Sequence, residues 1–157
     1  MKTTAYLSGG MEYAANLGAD WRSELESWLH DELDQECFNP VKASETFLGG
    51  QYPDVDFRAT KKNNIMVHRE ISRKIVELDT REIIMRTSYV ICYYDESAQR
   101  GAGTKGELTI ASVFGKPVYL VPDMPIDKIP SWVIGCADEI FRDFKSLKEF
   151  LSRKFGK

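Results

Sequence analysis

A glycine-rich segment ending on a carboxylate, Arg100 to Glu107, has the residue types and spacing best suited to chemistry. It follows the most apolar run of the chain, at the point where a helix is expected to begin. Free backbone N–H groups there could hold an anionic or polar ligand group. The spacing matches neither a Walker A loop nor a dinucleotide fingerprint. Taken alone, Glu107 is explained slightly better as a first-turn acid that complements the helix dipole.

Three further features could belong to the same site. Ser8 to Met11 places two glycines directly after a short strand, where the backbone can turn sharply and a ligand can approach it closely. A plain strand-to-helix turn explains that segment equally well. Asp95 lies at the exit of the apolar run 89–94. Asp79 lies on the stretch before that run, where an isolated acid is usually solvated.

In combination these residues resemble the nucleoside 2-deoxyribosyltransferase superfamily. The resemblance covers about residues 5 to 122, and its second half, Gly-Thr-x-x-Glu-Leu followed by Gly-Lys-Pro-Val, is the more specific part. It is carried by the segment Tyr6 to Met11, Asp79, Asp95, Gly103, Thr104, Glu107, Leu108, Ala111 and the segment Gly115 to Val118.

The resemblance implies a reaction at a nucleoside. Glu107 would attack the anomeric carbon, displace the nucleobase and form a glycosyl ester, which a second nucleobase or water would then release. Two carboxylates suit this chemistry, as in retaining glycoside cleavage, and Asp79 would act as the proton donor or as the anchor of the base. It implies no cofactor and no metal. Substrate-binding positions would be Tyr6, Gly9, Gly10, Met11, Asp95, Gly101, Gly103 and Thr104.

Two positions depart from the family pattern. Relatives carry an acid or a serine, which contacts the sugar, six residues before the glutamate, where this chain has Gly101. Asp95 or Ser97 would substitute for it if the loop folds back. The glutamate is usually followed by Leu-Gly, and here Thr109 replaces the glycine.

The first glycine loop bears on the choice between a nucleoside and its 5′-monophosphate. Relatives that hydrolyse monophosphates hold phosphate there with a serine and an arginine, whereas this chain has Gly10 and Glu12. An acid should repel a phosphate, which favours free nucleosides. Arg58, Arg69 or Arg73 would be the alternative phosphate clamp.

Three readings of function therefore stay open. The first is transfer or hydrolysis at the N-glycosidic bond of a nucleoside, with cleavage of a monophosphate as its variant. The second is a non-catalytic nucleotide-binding or sensing module on the same fold, which Gly101 motivates. The third is a phosphate-binding domain of unrelated chemistry.

The elements that must position these residues alternate between strand and helix. This alternation predicts an α/β fold with three layers, in which a doubly wound, mostly parallel sheet of about five strands resembles flavodoxin and Rossmann folds. Both glycine-rich turns should then lie on one edge of the sheet. Strands are predicted over 5–8, 36–38, 89–94, 116–122 and 138–141. Helices are predicted over 20–33, from 63 to 78, over 104–114 and after 146, with Asp20 and Ser146 as N-caps.

Two segments are less regular. Residues 42–62 show no period and are predicted to be a long surface loop. The helix from residue 63 is expected either to continue to Arg86 or to break near Asp79.

Length and composition limit the remaining possibilities. The 157 residues fit one domain, 1–157, and the net charge of −3 argues against a nucleic acid polymer as partner. Three separated cysteines and two histidines make a zinc site or a disulfide framework improbable, and Cys92 is expected to be a small buried hydrophobe. No signal peptide or membrane span is recognised, so the cytoplasm is the expected location. The apolar segment 129–134 and the family resemblance predict a homo-oligomer, unless Trp132 packs on its own core.

Overall fold

A computed structural model of the chain describes residues 1–156 and contains a five-stranded sheet in which neighbouring strands are parallel. The strand order is β2-β1-β3-β4-β5. The predicted doubly wound α/β fold is confirmed, and the sheet is parallel throughout. The strands are β1 (Thr4–Gly9), β2 (Glu36–Phe38), β3 (Tyr89–Tyr94), β4 (Val118–Pro122) and β5 (Glu139–Ile140).

Helices cover both faces of the sheet. They are α1 (Ala19–Leu33), α2 (Pro40–Gln51), α3 (Phe57–Asn63), α4 (Ile65–Met85), α5 (Glu96–Arg100), α6 (Gly103–Val113), α7 (Ser131–Cys136) and α8 (Phe144–Phe155). Within residues 1–156, none of them is both long enough and apolar enough to cross a membrane.

The alternation of side chains along each strand divides the core into two layers. One layer joins Tyr6 and Cys92 to residues of α4, α6 and α7 such as Ile83 and Leu108. The other joins Leu7 and the alternate residues of β3 to α1 and α8. Cys92 is fully buried, as expected. Tyr6 and Ser8 therefore share the face that α4 and α6 cover.

The prediction of a loop over residues 42–62 is wrong, because α2 and α3 occupy most of it. Asn39 caps α2 by accepting hydrogen bonds from the backbone N–H groups of Val41 and Lys42, and Pro40 takes the first helical position. Asp56 caps α3 in the same way, through the N–H of Ala59 at 3.1 Å. Because none of the residues 57–63 is buried, the sequence of this helix shows no helical spacing of apolar residues.

Two predicted N-caps are also wrong. Gly18, in the left-handed conformation at φ 71°, precedes α1, while Asp20 lies inside the first turn. The last helix is capped by Asp143, which accepts from the N–H and the hydroxyl of Ser146 at 2.8 and 2.7 Å.

Three other segments either differ from the sequence predictions or decide between the alternatives that the sequence left open. The helix α4 continues unbroken past Asp79 to Met85. Residues 131–136 form α7 rather than a loop, and Trp132 does not pack on the core, since it is 68% exposed. A short helix, α5, begins directly after β3, where no helix was predicted.

The two glycine-rich turns meet at the carboxyl ends of β1 and β3, as predicted. A Cβ atom on Gly10 would lie 1.9 Å from Ser97 Oγ and 2.8 Å from the backbone nitrogen of Ala98. Gly10 is therefore the point at which the first turn packs against α5. In this strand order β2 is added on one side of β1 and β3 on the other, and such a switch point is where open parallel sheets bind ligands.

We expect Gly10→Ala to destabilise the protein by about 1–3 kcal/mol, because the backbone of α5 must shift to admit a methyl group. Gly49→Ala is the matched control, since that glycine lies in α2 with open space around it. It should be neutral or stabilising by up to about 1 kcal/mol. Urea unfolding of both variants measures the difference, and an unchanged midpoint for Gly10→Ala would contradict the packing described.

Candidate functional site

The carboxylate of Glu107 is held against the carboxyl end of β1. The Tyr6 hydroxyl donates a hydrogen bond to Oε2, and the Ser8 hydroxyl donates one to Oε1 at 3.2 Å. Glu107 lies in the second turn of α6, and the first turn contains no acid. The explanation of Glu107 as a first-turn acid is therefore wrong.

A cavity of about 450 Å³ opens beside this carboxylate, between α4, α5, α6 and the first glycine turn. Asp79 of α4 and Glu107 of α6 both line it. Its wall consists of residues 9–13, Ile75, Val76, Asp79, Thr80, Ser97, Gly101, Ala102, Gly103, Thr104, Gly106 and Glu107.

Asp79 lacks the hydrogen bonds that hold Glu107. In the part of the chain that the structure describes, its buried Oδ1 atom has no hydrogen-bond partner. Burial and, to a smaller extent, the negative charge of Glu107 raise the pKa of Asp79, and Arg22 lowers it; together they place this pKa at about 8. Because an unpartnered carboxylate is costly in a buried place, the neutral acid is the favoured form.

Glu107 is stabilised as an anion more effectively than Asp79. Burial raises its pKa, while the Tyr6 hydroxyl, the positive charge of Arg22 and the Ser8 hydroxyl lower it, and the net result is a pKa of about 7. The two carboxyls repel each other when both are charged, so they titrate as a pair. Near neutral pH the arrangement favours a proton on Asp79 and a negative charge on Glu107.

Most of the sequence-predicted binding residues meet at this cavity. Gly9, Gly10, Met11, Gly101, Gly103 and Thr104 line it, and Tyr6 reaches it through Glu107. Asp95 is not among the lining residues. Its carboxylate caps α5, accepting from the N–H of Ala98 at 3.0 Å and from the hydroxyl of Ser97. Ser97, the alternative to Asp95 as a substitute for the missing side chain at Gly101, does line the wall.

Several residues of the site were missed in the sequence. Ser8 follows Tyr6 by two positions in a strand, so the alternation of side chains places both on the face of Glu107. Ile75 and Asp79 are four residues apart in α4, and Val76 and Thr80 likewise, so each pair shares a helix face. Both spacings are visible in the sequence once the elements are known.

Two cations lie beside residues that line the cavity. The Lys61 ammonium group of α3 pairs with the Glu12 carboxylate. The Arg100 guanidinium lies over the ring of Tyr13, 4.6 Å from its centroid. Across residues 1–156, no cluster of three or more His, Cys, Asp or Glu could hold a metal ion.

No protein-family model matches this chain, and no curated protein matches it either. Function is therefore inferred from the cavity and its two carboxyls.

We expect Asp79→Asn to stabilise the protein, and increasingly so as the pH rises. With its pKa raised to about 8, Asp79 keeps in the folded state a proton that the unfolded chain releases above about pH 4. The free energy of unfolding of the wild type therefore falls between about pH 4 and pH 8. The amide of Asp79→Asn does not titrate in this range, so the variant does not lose stability in this way. Thermal melts should show a gain of about 1–2 kcal/mol at pH 8 that vanishes near pH 4.

Glu77→Gln is the control for that experiment, because Glu77 lies exposed on the same helix. Its effect should be small and the same at each pH. A less stable Asp79→Asn variant at pH 8 would show that Asp79 is an ionised, well-solvated side chain.

Proposed function

We propose that this protein cleaves the N-glycosidic bond of a nucleoside or deoxynucleoside and passes the sugar to another nucleobase or to water. One observation carries the proposal: a glutamate that accepts hydrogen bonds from two hydroxyls and an aspartate with an unpartnered buried oxygen line the same cavity. Such a division between two carboxyls is what a displacement with a nucleophile and a general acid requires.

The first chemical step uses both carboxyls. Glu107 attacks the anomeric carbon and forms an ester bond as the bond from that carbon to the base nitrogen breaks. The electron pair of the broken bond stays with the base, which takes the proton of Asp79. The hydroxyls of Tyr6 and Ser8 orient the attacking carboxylate. One of these donors remains available to the ester carbonyl oxygen after attack.

The second step reverses the roles. A nucleobase nitrogen or a water molecule attacks the anomeric carbon, and the ester bond returns its electrons to Glu107. The ionised Asp79 accepts the proton that the incoming group loses. The free enzyme is thereby regenerated with its original proton distribution.

The charges of the cavity support an unphosphorylated substrate. Its wall carries the carboxyls of Glu12, Asp79 and Glu107, and the lining residues, all within 9–107, include no Lys, Arg or His. Arg58, Arg69 and Arg73, the alternative phosphate clamp, are exposed and outside this wall. A phosphate would meet carboxylates and would have to compete with Glu12 for Lys61.

The second candidate function is a binding module without catalysis, which Gly101 favours because it offers no side chain to the sugar. The hydroxyl of Ser97 lies on the same wall and supports the enzymatic proposal instead. A binding module would be stabilised thermally by nucleosides and would leave them intact.

We expect the purified protein to release free base from a deoxynucleoside, and Glu107→Ala to lose about 10³-fold or more of this activity because no nucleophile remains. Asp79→Asn should lose about 10²–10⁴-fold, with the largest effect on bases that leave poorly without a proton. Chromatography of bases and nucleosides, with a second base added in half of the reactions, measures release and transfer. Glu77→Gln is the matched control and should retain full activity. Wild-type protein that leaves every nucleoside intact would contradict the proposal.

We expect kcat/KM for a deoxynucleoside to exceed that for its 5′-monophosphate by about tenfold or more, since a phosphate would lie beside the Glu12 carboxylate and would have to compete with it for Lys61. Glu12→Gln should narrow this gap, because it removes one carboxylate and frees Lys61. Asp54→Asn, at an exposed acid outside the cavity wall, is the control and should leave the ratio unchanged. A wild-type preference for the monophosphate would refute the charge argument.

A further inference from the structure

The guanidinium of Arg22 is buried behind the face of β1 that carries Tyr6 and Ser8. Its side chain projects from α1, and the residue is 0% exposed. It donates hydrogen bonds to five backbone carbonyl oxygens: Leu7 at 3.1 Å, Gly9 at 2.9 Å, Gly10 at 3.3 Å, Leu17 at 3.4 Å and Gly18 at 2.9 Å. None of the ion pairs formed by residues 1–156 includes Arg22.

A fully buried cation without a contacting carboxylate needs another source of negative potential. The carbonyl dipoles supply part of it, and the chain is bent to provide them. Leu17 has φ 54° and Gly18 has φ 71°, both in the left-handed region. A Cβ atom on Gly18 would lie 2.6 Å from the Arg22 Nη1 atom and 2.4 Å from the Gly10 oxygen. The segment before α1 is thus shaped closely around the guanidinium.

The carbonyls that Arg22 binds lie on both sides of Ser8. Leu7 and Gly9 are its neighbours in β1, and the hydroxyl of Ser8 donates to Glu107. Fixing these two peptide groups fixes the direction in which the Ser8 side chain leaves the strand. The contact with Gly10 fixes the start of the cavity wall in the same way.

We propose that Arg22 is a positioning residue for the nucleophile: its guanidinium holds Ser8 and the glycine turn in place and puts a buried positive charge on the strand whose two hydroxyls bind the Glu107 carboxylate. The role assigned to Glu107 here rests on the proposed function. Arg22 itself touches neither the cavity nor the substrate.

The charges around Glu107 agree with this role. Tyr6 from β1, Asp79 from α4 and Cys92 from β3 face it, and each would oppose its ionisation if it were itself ionised. Arg22 is the cation that lowers the pKa of Glu107. The influence is mutual, since Glu107 is the charge that does most to raise the pKa of Arg22 against the effect of burial.

The proposal has a positioning part, which concerns Ser8 and the glycine turn, and an electrostatic part, which concerns the positive charge near Glu107. Two substitutions separate these parts. Arg22→Met removes the charge and keeps the length of the side chain, whereas Arg22→Lys keeps the charge and loses the planar fork of donors. Arg153→Met, at an exposed arginine of α8, is the control for loss of a positive charge far from the cavity. Circular dichroism and urea unfolding establish which variants fold.

The first measurement follows the titration of Glu107 by carbon-detected NMR of its side-chain carboxyl, assigned with Glu107→Gln. In Arg22→Met the pKa of Glu107 should rise by about 1 or more relative to wild type, while Arg22→Lys and Arg153→Met should leave it nearly unchanged. An unchanged titration in Arg22→Met would overturn the electrostatic part. This experiment needs no substrate, so it tests Arg22 even if the protein cleaves no nucleoside.

The second measurement is turnover of the substrate found for the wild type. We expect kcat to fall about 100-fold or more in Arg22→Met, with the acidic limb of the pH–rate profile moved to higher pH. In Arg22→Lys, kcat should fall about tenfold with little change in KM and an unmoved limb. Full activity of Arg22→Lys would overturn the positioning part. If Arg22→Met does not fold, Arg22→Lys still decides the positioning part, and Arg22→Gln takes the place of Arg22→Met in the titration of Glu107.

Discussion

A carboxylate can remain charged in a buried place only where donors and a nearby cation replace the water that it loses. Glu107 meets this condition through two hydroxyls of one strand and the guanidinium of Arg22 behind it. The same condition explains Asp79, which shares the cavity without such support and so keeps its proton. Two chemically similar side chains are thus made different by their surroundings, and the roles of acid and nucleophile that we propose for them rest on this difference.

The parallel sheet makes this condition possible. Because β1 and β3 are neighbours and run in the same direction, the turns after them meet, and Gly10 packs directly on Ser97. The reversal of strand order leaves a gap above this pair, which the cavity occupies. Arg22 then ties the first turn to α1 on the opposite face. Residues far apart in the sequence are fixed relative to one another by strand pairing, by the close packing of Gly10 on α5 and by the side chain of Arg22.

The sequence was most informative where burial imposes a pattern. The bounds of β3 were predicted correctly because its residues are apolar on both faces. The helix α3 escaped prediction because none of its residues is buried, although its cap, Asp56, was visible. Asp95 was expected to contact substrate, but its carboxylate is used to cap α5. Nothing in the spacing of α1 distinguishes Arg22 from a solvated charge, since its environment is created by the glycine turn.

The two sides of the cavity differ in how firmly the fold holds them. Glu107 lies on a helix that packs on β1, β3 and β4, so its position is set by the centre of the sheet. Asp79 lies on α4, whose buried residues are Ile71 and Ile83, and which carries the exposed helix α3 against it. Because α4 has so few buried positions, its cavity-facing side chains can be substituted with little loss of core packing. In the reaction that we propose, attack on the sugar is common to every nucleoside, whereas the departing base varies. We therefore expect selectivity for the base to reside in α4, and the attacking group to stay fixed with the sheet.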